Sequence, residues 1–219
     1  HEFTACRRTT DMAQLKAETK DADVLMLANM PLPAEVLAQA PNVKFIDVAF
    51  TGVDHIPVAD ARSRGIAISN ASGYADESVA ELCVSFMIQL LRHLDEAGRR
   101  CREGGTKAGL GANLLQGKTV GLVGAGAIGT RLAALCTAFG CTVLAHNRRP
   151  VSDPAIDESV SLDELLRRAD IVSLHCPLTP ETRGMIGAPE LEKMKKSAFL
   201  INTARGPVVD NAALAAALD

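Results

Sequence analysis

The sequence predicts an α/β fold built on doubly wound parallel sheet, and three observations predict it. Short apolar runs of strand length alternate with amphipathic runs of helical length along most of the 219 residues, the pattern that covers a parallel sheet with helices. A glycine-rich turn, Gly124-Ala-Gly126-Ala-Ile-Gly129, joins one such strand to one such helix. Hydrophobic residues make up 47% of the chain and aromatics only 3%, an Ala, Val and Leu-rich mix that favours this class.

In chain order, strands are predicted over 24–28, 43–49 and 66–69, with helices over 33–39 and 59–64 between them. One long helix is predicted over 77–100. There Val79, Leu82, Cys83, Phe86, Leu90 and Leu94 follow helical spacing, while Val84, Met87, Ile88 and Leu91 fill most of the other positions. A helix apolar nearly all round is expected to be buried, here between domains or subunits. The segment GGTKAGLGANLLQGK (104–118) reads as a connection, long enough for part of it to pack on a partner.

From Lys118 the pattern is cleaner: strand 119–123, helix 127–139, strand 142–146, helix 162–168, strand 171–174, helix 189–195 and strand 199–201. Ile128, Leu132, Leu135 and Phe139 form the expected core face of helix 127–139. Ser161 and Glu164 have the spacing of a capping box, and Pro189 suits a first helical turn. The chain opens on His1 and stops inside the helical pattern 211–219 with no stop signal, so it reads as a fragment cut at both ends.

Charge and cysteine usage narrow the partners. The formal net charge is −3 with no patterned Lys/Arg run, which argues against nucleic acid and an anionic membrane surface. Six cysteines form no C-x-x-C pair and several sit in apolar segments, as reduced thiols do in a cytoplasmic protein. The longest apolar run, 82–94, is interrupted by Ser85, Gln89, Arg92 and His93 and is too short to span a bilayer. No metal site is expected.

The glycine motif follows a strand and opens a helix, the context of a Rossmann-type dinucleotide site. Gly124 allows the tight turn, Gly126 lets a pyrophosphate approach the backbone, and Gly129 lets helix and strand pack closely. The free N–H groups around Ala127 and Ile128 attract the anion. About 20 residues further on, an acid is expected to bind the adenosine ribose, yet Asn147 stands there, followed by Arg148 and Arg149. A neutral side chain removes the repulsion of a 2′-phosphate, and guanidinium groups supply donors suited to it. The sequence therefore predicts NADP as the preferred cofactor. The alternative is that both arginines are solvated turn residues and Asn147 binds NAD.

Three further stretches carry a resemblance: VAFTGVDHI (48–56) with NASGYADESVAE (70–81), LDELLRRADIVSLHCPLTPETRGMI (162–186), and MKKSAFLINTARGPVVD (194–210). Over nearly its whole length the chain resembles the D-isomer-specific 2-hydroxyacid dehydrogenases, the family of D-lactate dehydrogenases, glyoxylate and hydroxypyruvate reductases and phosphoglycerate dehydrogenase. The resemblance implies an incomplete, flavodoxin-like substrate domain over residues 1–73 and an NAD(P)-binding domain over 74–219, itself incomplete at its end. It implies that Thr51, Gly52 and Val53 hold a substrate carboxylate through backbone N–H groups, with Tyr74 lining the pocket beside Phe50. Arg205 is implied as the catalytic cation that holds the carboxylate and polarises the C2 carbonyl. His175, Cys176, Pro177 and Thr182 are placed along the cofactor, and Thr203 and Ala204 under the nicotinamide ribose. In family terms His175 is not the acid/base, and no Cys/His arrangement makes Cys176 a nucleophile.

The implied reaction is reversible reduction of a small 2-oxo acid such as glyoxylate, hydroxypyruvate or pyruvate to a D-2-hydroxy acid. It needs a general acid, in this family a His oriented by a Glu, both located after the segment that ends on Gly206 and the helix that follows. Both are expected to lie beyond residue 219, leaving these residues inactive alone. Among the histidines present, His55 beside the carboxylate loop is the one plausible stand-in, and His1, His93 and His146 have weaker claims. The intact protein is expected to be a homodimer through the region of the long helix. A competing reading is an NAD(P)-sensing or corepressor-like binding protein of the same fold.

Overall fold

The computed structural model describes residues 2–218; His1 and Asp219 lie outside it. Backbone packing divides the chain into two compact units, His1–Tyr74 and Ala75–Asp219.

The first unit runs α1 (Met12–Thr19), β1 (Val24–Leu27), α2 (Ala34–Ala38), β2 (Phe45–Val48), α3 (Val58–Ser63) and β3 (Ala67–Asn70). Its strands form a parallel sheet in the order β1-β2-β3, with Leu25 opposite Ile46 and Ile46 opposite Ile68. Leu25, Leu27, Ile46 and Val48 alternate inward and meet Leu15, Val36, Leu37 and Ala61 from the helices, the period-2 pattern of a strand with one covered face. The short α2 ends without a glycine cap. Instead the Arg64 guanidinium, carried at the end of α3, donates to the carbonyls of Leu37 and, at 2.7 Å, Ala40, satisfying acceptors that a helix end leaves bare.

The sequence pattern missed α1. Asp11 caps it by accepting from the Ala13 N–H at 2.8 Å and the Gln14 N–H at 3.3 Å. Its apolar stripe is too thin to register as a period, since Leu15 is the one large apolar side chain it buries fully.

The second unit begins with α4 (Asp76–Arg92) and α5 (Leu94–Arg102) where the sequence predicts one helix. They are separated by His93, whose backbone is left-handed at φ 52° and whose N–H closes on the Gln89 and Leu90 carbonyls. Histidine tolerates this conformation better than most residues, and a left-handed residue ends a helix. Ala80, Cys83, Val84, Met87 and Leu91 face the core, while Leu82, Phe86 and Leu90 form an exposed apolar stripe on another side, and Leu94, which opens α5, is also exposed. The expectation of burial all round therefore holds for one face within this unit.

There follow β4 (Thr119–Val123), α6 (Ala127–Ala138), β5 (Thr142–His146), β6 (Glu158–Ser159), α7 (Leu162–Arg168), β7 (Ile171–Leu174), α8 (Ala188–Lys193), β8 (Phe199–Asn202) and α9 (Asn211–Leu218). All strands are parallel, in the order β6-β5-β4-β7-β8. The order reverses between β4 and β7, and the crevice at their carboxyl ends is where open α/β sheets bind ligands. The sequence missed β6 because it is two exposed polar residues, held only by pairing with β5.

Gly129, Leu132, Ala133 and Cys136 form the buried face of α6, a rotation from the expected face. Leu132 belongs to both; Ile128 and Leu135 are half-buried, and Phe139, at the cap, is 45% exposed. The cause is Gly129, whose missing side chain lets that edge of the helix approach the strand-end turn. Of the predicted capping box, Ser161 accepts from the Glu164 N–H at 3.2 Å. A second cap opens α8, where the Glu190 carboxylate accepts from the Gly187 N–H at 3.2 Å and Pro189 occupies the first turn.

Candidate active site

At the end of β4 the chain turns through Gly124 at φ +99°, a left-handed conformation that disfavours side chains. A Cβ there would lie 2.8 Å from both the Cys176 nitrogen and the His175 carbonyl carbon, and one on Gly129 would strike the Gly124 carbonyl oxygen. A Cβ on Gly126 would meet nothing within 4 Å. Two glycines are thus required by the protein's own packing, whereas the third leaves open space beside the N-terminus of α6, the shape needed for a dinucleotide pyrophosphate to reach backbone N–H groups. The residues present fit that group.

The turn brings Gly124 and Gly129 against His175 and Cys176, which follow β7. The Gly124 N–H donates to His146 O at 2.9 Å, and the His175 N–H donates to Val123 O at 2.8 Å, extending the sheet on both sides of β4. The His175 ring Nε2 lies 2.9 Å from Ser173 Oγ. Burial lowers the His175 pKa to about 4, so the imidazole is neutral near neutral pH. Burial raises the Cys176 thiol, the opposite of what a nucleophile needs. Pro177 is exposed, and Thr182 Oγ closes the following turn, donating to Pro177 O at 2.6 Å and accepting from the Thr179 N–H at 2.8 Å.

At the end of β5, the Asn147 carboxamide joins two pieces of the site. Its Oδ1 accepts from the Ala125 N–H at 3.5 Å and its Nδ2 donates to Arg149 O at 3.0 Å. Arg148 and Arg149 are exposed. The Thr179 hydroxyl holds the Glu181 carboxyl below its ordinary range, and the charge of Arg148 adds to this. The His146 ring turns away, with Nδ1 3.2 Å from Val160 O.

Beyond β8, Asn202 orders the segment that carries Arg205. Its Oδ1 accepts from the Ala204 N–H at 3.0 Å and its Nδ2 donates to Arg205 O at 2.9 Å, while Arg205 Nη1 donates to Ala204 O at 2.9 Å. Thr203 Oγ lies 3.4 Å from Cys83 Sγ of α4. Asn202 and Ser173 are organising residues that the sequence reading passed over. Ser173 had a signal: a hydroxyl inside the otherwise apolar run Ile171–Leu174, two residues before His175 and so on the same face of the strand direction.

In the first unit, Asn70 Nδ2 donates to Thr51 O at 2.7 Å, and Thr51 Oγ reaches Ala71 O at 3.5 Å. These bonds fix the Thr51-Gly52-Val53 loop, and among the described residues the N–H groups of Gly52 and Val53 donate to no carbonyl. Tyr74 is 62% exposed and meets the edge of Phe50 with ring centroids 6.2 Å apart. Nε2 of His55 is buried without a hydrogen-bond partner among the described residues. Among those residues no group of His, Cys, Asp and Glu has the arrangement of a metal site.

A parallel sheet with reversed strand order, a glycine cradle at the reversal and a neighbouring strand end that presents an ordered arginine define a nicotinamide-nucleotide-binding unit of the Rossmann type. The match to known proteins places it more narrowly. The family described as "D-isomer specific 2-hydroxyacid dehydrogenase, NAD binding domain" matches residues 84–219. A glycerate dehydrogenase of Methylorubrum extorquens is 36% identical over 100% of this chain and 70% of its own length. A glyoxylate reductase of Thermofilum pendens is 40% identical over 94% of this chain and 63% of its own. The crystal structure of a D-lactate dehydrogenase from Aquifex aeolicus, complexed with NAD and lactic acid, superposes with a TM-score of 0.88 at 34% identity, covering 93% of this chain and 62% of that one. The chain belongs to the D-isomer-specific 2-hydroxyacid dehydrogenase family, and it spans between 62% and 70% of the length of these relatives.

Proposed function

We propose that the whole protein is an NADP-preferring dehydrogenase of small D-2-hydroxy acids, reducing a 2-oxo acid of the glyoxylate, hydroxypyruvate or pyruvate class. The observation that carries the reading is the cradle: side chains are excluded at Gly124 and Gly129 by the protein itself, while the space at Gly126 is left open. The names of the relatives, a glycerate dehydrogenase and a glyoxylate reductase, support the substrate class.

The bound nicotinamide supplies or receives hydride at its C4. The N–H groups that open α6 hold the pyrophosphate, and Asn147 holds the turn that presents Arg148 and Arg149 to a 2′-phosphate. Guanidinium forks match phosphate oxygens bidentately. His175 is held neutral beside the cradle, so it adds no charge there. The amides of Gly52 and Val53 hold the substrate carboxylate, with Thr51 ordering the loop and Tyr74 offering an apolar wall. Arg205 polarises the C2 carbonyl and stabilises negative charge as it develops on oxygen.

The exposed stripe of Leu82, Phe86 and Leu90 recurs every four residues along α4, and an apolar stripe of this kind supports a homodimer through that face. Six free thiols support a reducing, cytoplasmic setting. Among the described residues no helix is long and apolar enough to cross a membrane.

Titration of the chain with NADPH and NADH, followed by assay of the whole protein on glyoxylate, hydroxypyruvate and pyruvate, tests the reading. Tighter binding of NADPH and turnover of at least one of these acids are expected. Equal affinity for the two cofactors would remove the NADP preference, and binding of neither would remove the function.

A further inference from the structure

Ser173 is fully buried in β7, where its neighbours Ile171, Val172 and Leu174 are all apolar and buried. A hydroxyl in that position is tolerated only when bonded. Its partner is His175 Nε2 at 2.9 Å. Nearby, on α4, the Cys83 thiol stands 3.4 Å from the Thr203 hydroxyl. Cys83 has no exposed surface and is the one polar group on a face of α4 otherwise made of Ala80, Val84, Met87 and Leu91.

Two contacts, His175–Ser173 and Cys83–Thr203, stand at the ends of two adjacent strands. Leu174 pairs with Asn202 in the β7–β8 register, so His175 and Thr203 are the residues immediately past the paired strand ends, one on each. In the Cys83–Thr203 contact either group can be the donor, a capacity that serine shares and alanine lacks.

We propose that Cys83 is a positioning residue for the nicotinamide half of the cofactor: its thiol holds the Thr203 hydroxyl and so anchors the Thr203–Arg205 segment on α4. The inference rests on the cofactor reading above, in which Thr203 and Ala204 pass under the nicotinamide ribose. Cys83 touches no ligand in this arrangement and acts through Thr203.

The test compares two probes on the same chain. NADPH occupies both halves of the site, whereas adenosine 2′,5′-bisphosphate occupies only the adenosine half. Cys83→Ala is expected to weaken NADPH about threefold to tenfold, the worth of a lost internal hydrogen bond, and to leave the bisphosphate within about twofold. Cys83→Ser is expected to recover NADPH binding. Thr203→Val approaches the same bond from the half-buried end, and its effect on NADPH should not add to that of Cys83→Ala, because each variant removes the same link. Thermal midpoints measured alongside separate a loss of packing from a loss of position. Equal weakening of both probes, failure of serine to rescue, or additive effects of the two substitutions would overturn the proposal while the parent chain still binds NADPH. A parent chain that binds neither probe overturns the cofactor reading and this inference with it.

Discussion

His175 Nε2 and Ser173 Oγ are 2.9 Å apart, and desolvation of the half-buried imidazole lowers its pKa from 6.5 to about 4. The fold therefore refuses a proton that the unfolded chain accepts. Above pH 6.5 the ring is neutral in both states and costs nothing. As the pH falls from 6.5 towards about 4, the unfolded state gains the proton first and stability drops; below the folded pKa the loss is complete. Between pH 7 and pH 5 the contribution is about 2 kcal/mol. Urea unfolding of the parent chain and of His175→Gln at the two pH values measures it as the difference between their pH slopes. Matching slopes would show that His175 does not carry the effect.

The proposed preference for NADP rests on the carboxamide of Asn147 and the two exposed arginines. In Asn147→Asp the carboxylate still accepts from the Ala125 N–H but can no longer donate to Arg149 O, and its charge repels a 2′-phosphate. NADPH affinity is expected to fall roughly tenfold or more while NADH affinity holds or rises, a change of about 1.4 kcal/mol or more in the ratio. Equilibrium titration with both cofactors decides it. An unchanged ratio would mean that residue 147 has no contact with the adenosine ribose.

How much of this was legible beforehand follows from how local each signal is. The strands of both sheets other than β6, the cradle and the segment around Arg205 rest on short patterns of apolar spacing and glycine, and these are local. The break at His93 was not legible, because Leu94 continues the apolar stripe on the far side and only the backbone conformation ends the helix. The rotated face of α6 follows from a contact between Gly129 and Gly124 across the turn, which spacing does not encode. Cys83 is 120 residues from Thr203, so the thiol's polar role was hidden inside an apolar helix face.

The cradle makes a split prediction. Gly126→Ala places its methyl in open space at a helix N-cap with ordinary backbone geometry, and is expected to cost less than about 1 kcal/mol of stability. It should nevertheless weaken NADPH by roughly tenfold or more, since the methyl occupies the approach of the pyrophosphate. Gly129→Ala drives its methyl into the Gly124 carbonyl and should destabilise the fold by roughly 1–3 kcal/mol. Unfolding curves and NADPH titrations on the two variants read both halves. A stable Gly126→Ala that binds normally would place the cofactor elsewhere.

Arg64 offers a test within the first unit. Its guanidinium serves two carbonyls at the end of α2, and the Arg64→Ala chain leaves both without a charged donor. A loss of roughly 1–3 kcal/mol is expected, seen by hydrogen exchange as faster opening of α2 and its contacts. NADPH affinity should stay as in the parent chain, since the cradle belongs to the other unit. Unchanged exchange in α2 would show that water replaces the guanidinium without cost.

Reduction of a 2-oxo acid leaves an alkoxide that must gain a proton, and the described histidines are poorly placed to give one. His175 is neutral near pH 7, with a pKa of about 4, and Nε2 is committed to Ser173. The His146 ring lies against Val160 O. His93 stands at the break between α4 and α5, on neither strand end that frames the cradle. His55 has the remaining claim, since its Nε2 is buried without a partner among the described residues and it stands two residues after Val53. The 219-residue chain is therefore expected to bind NADPH and to show no oxidation of it above buffer when glyoxylate or hydroxypyruvate is added, followed by absorbance. Steady turnover that disappears in His55→Ala, with NADPH binding intact, would reverse this expectation and make His55 the acid. Steady turnover that survives His55→Ala would sink both assignments and point to a proton taken from water.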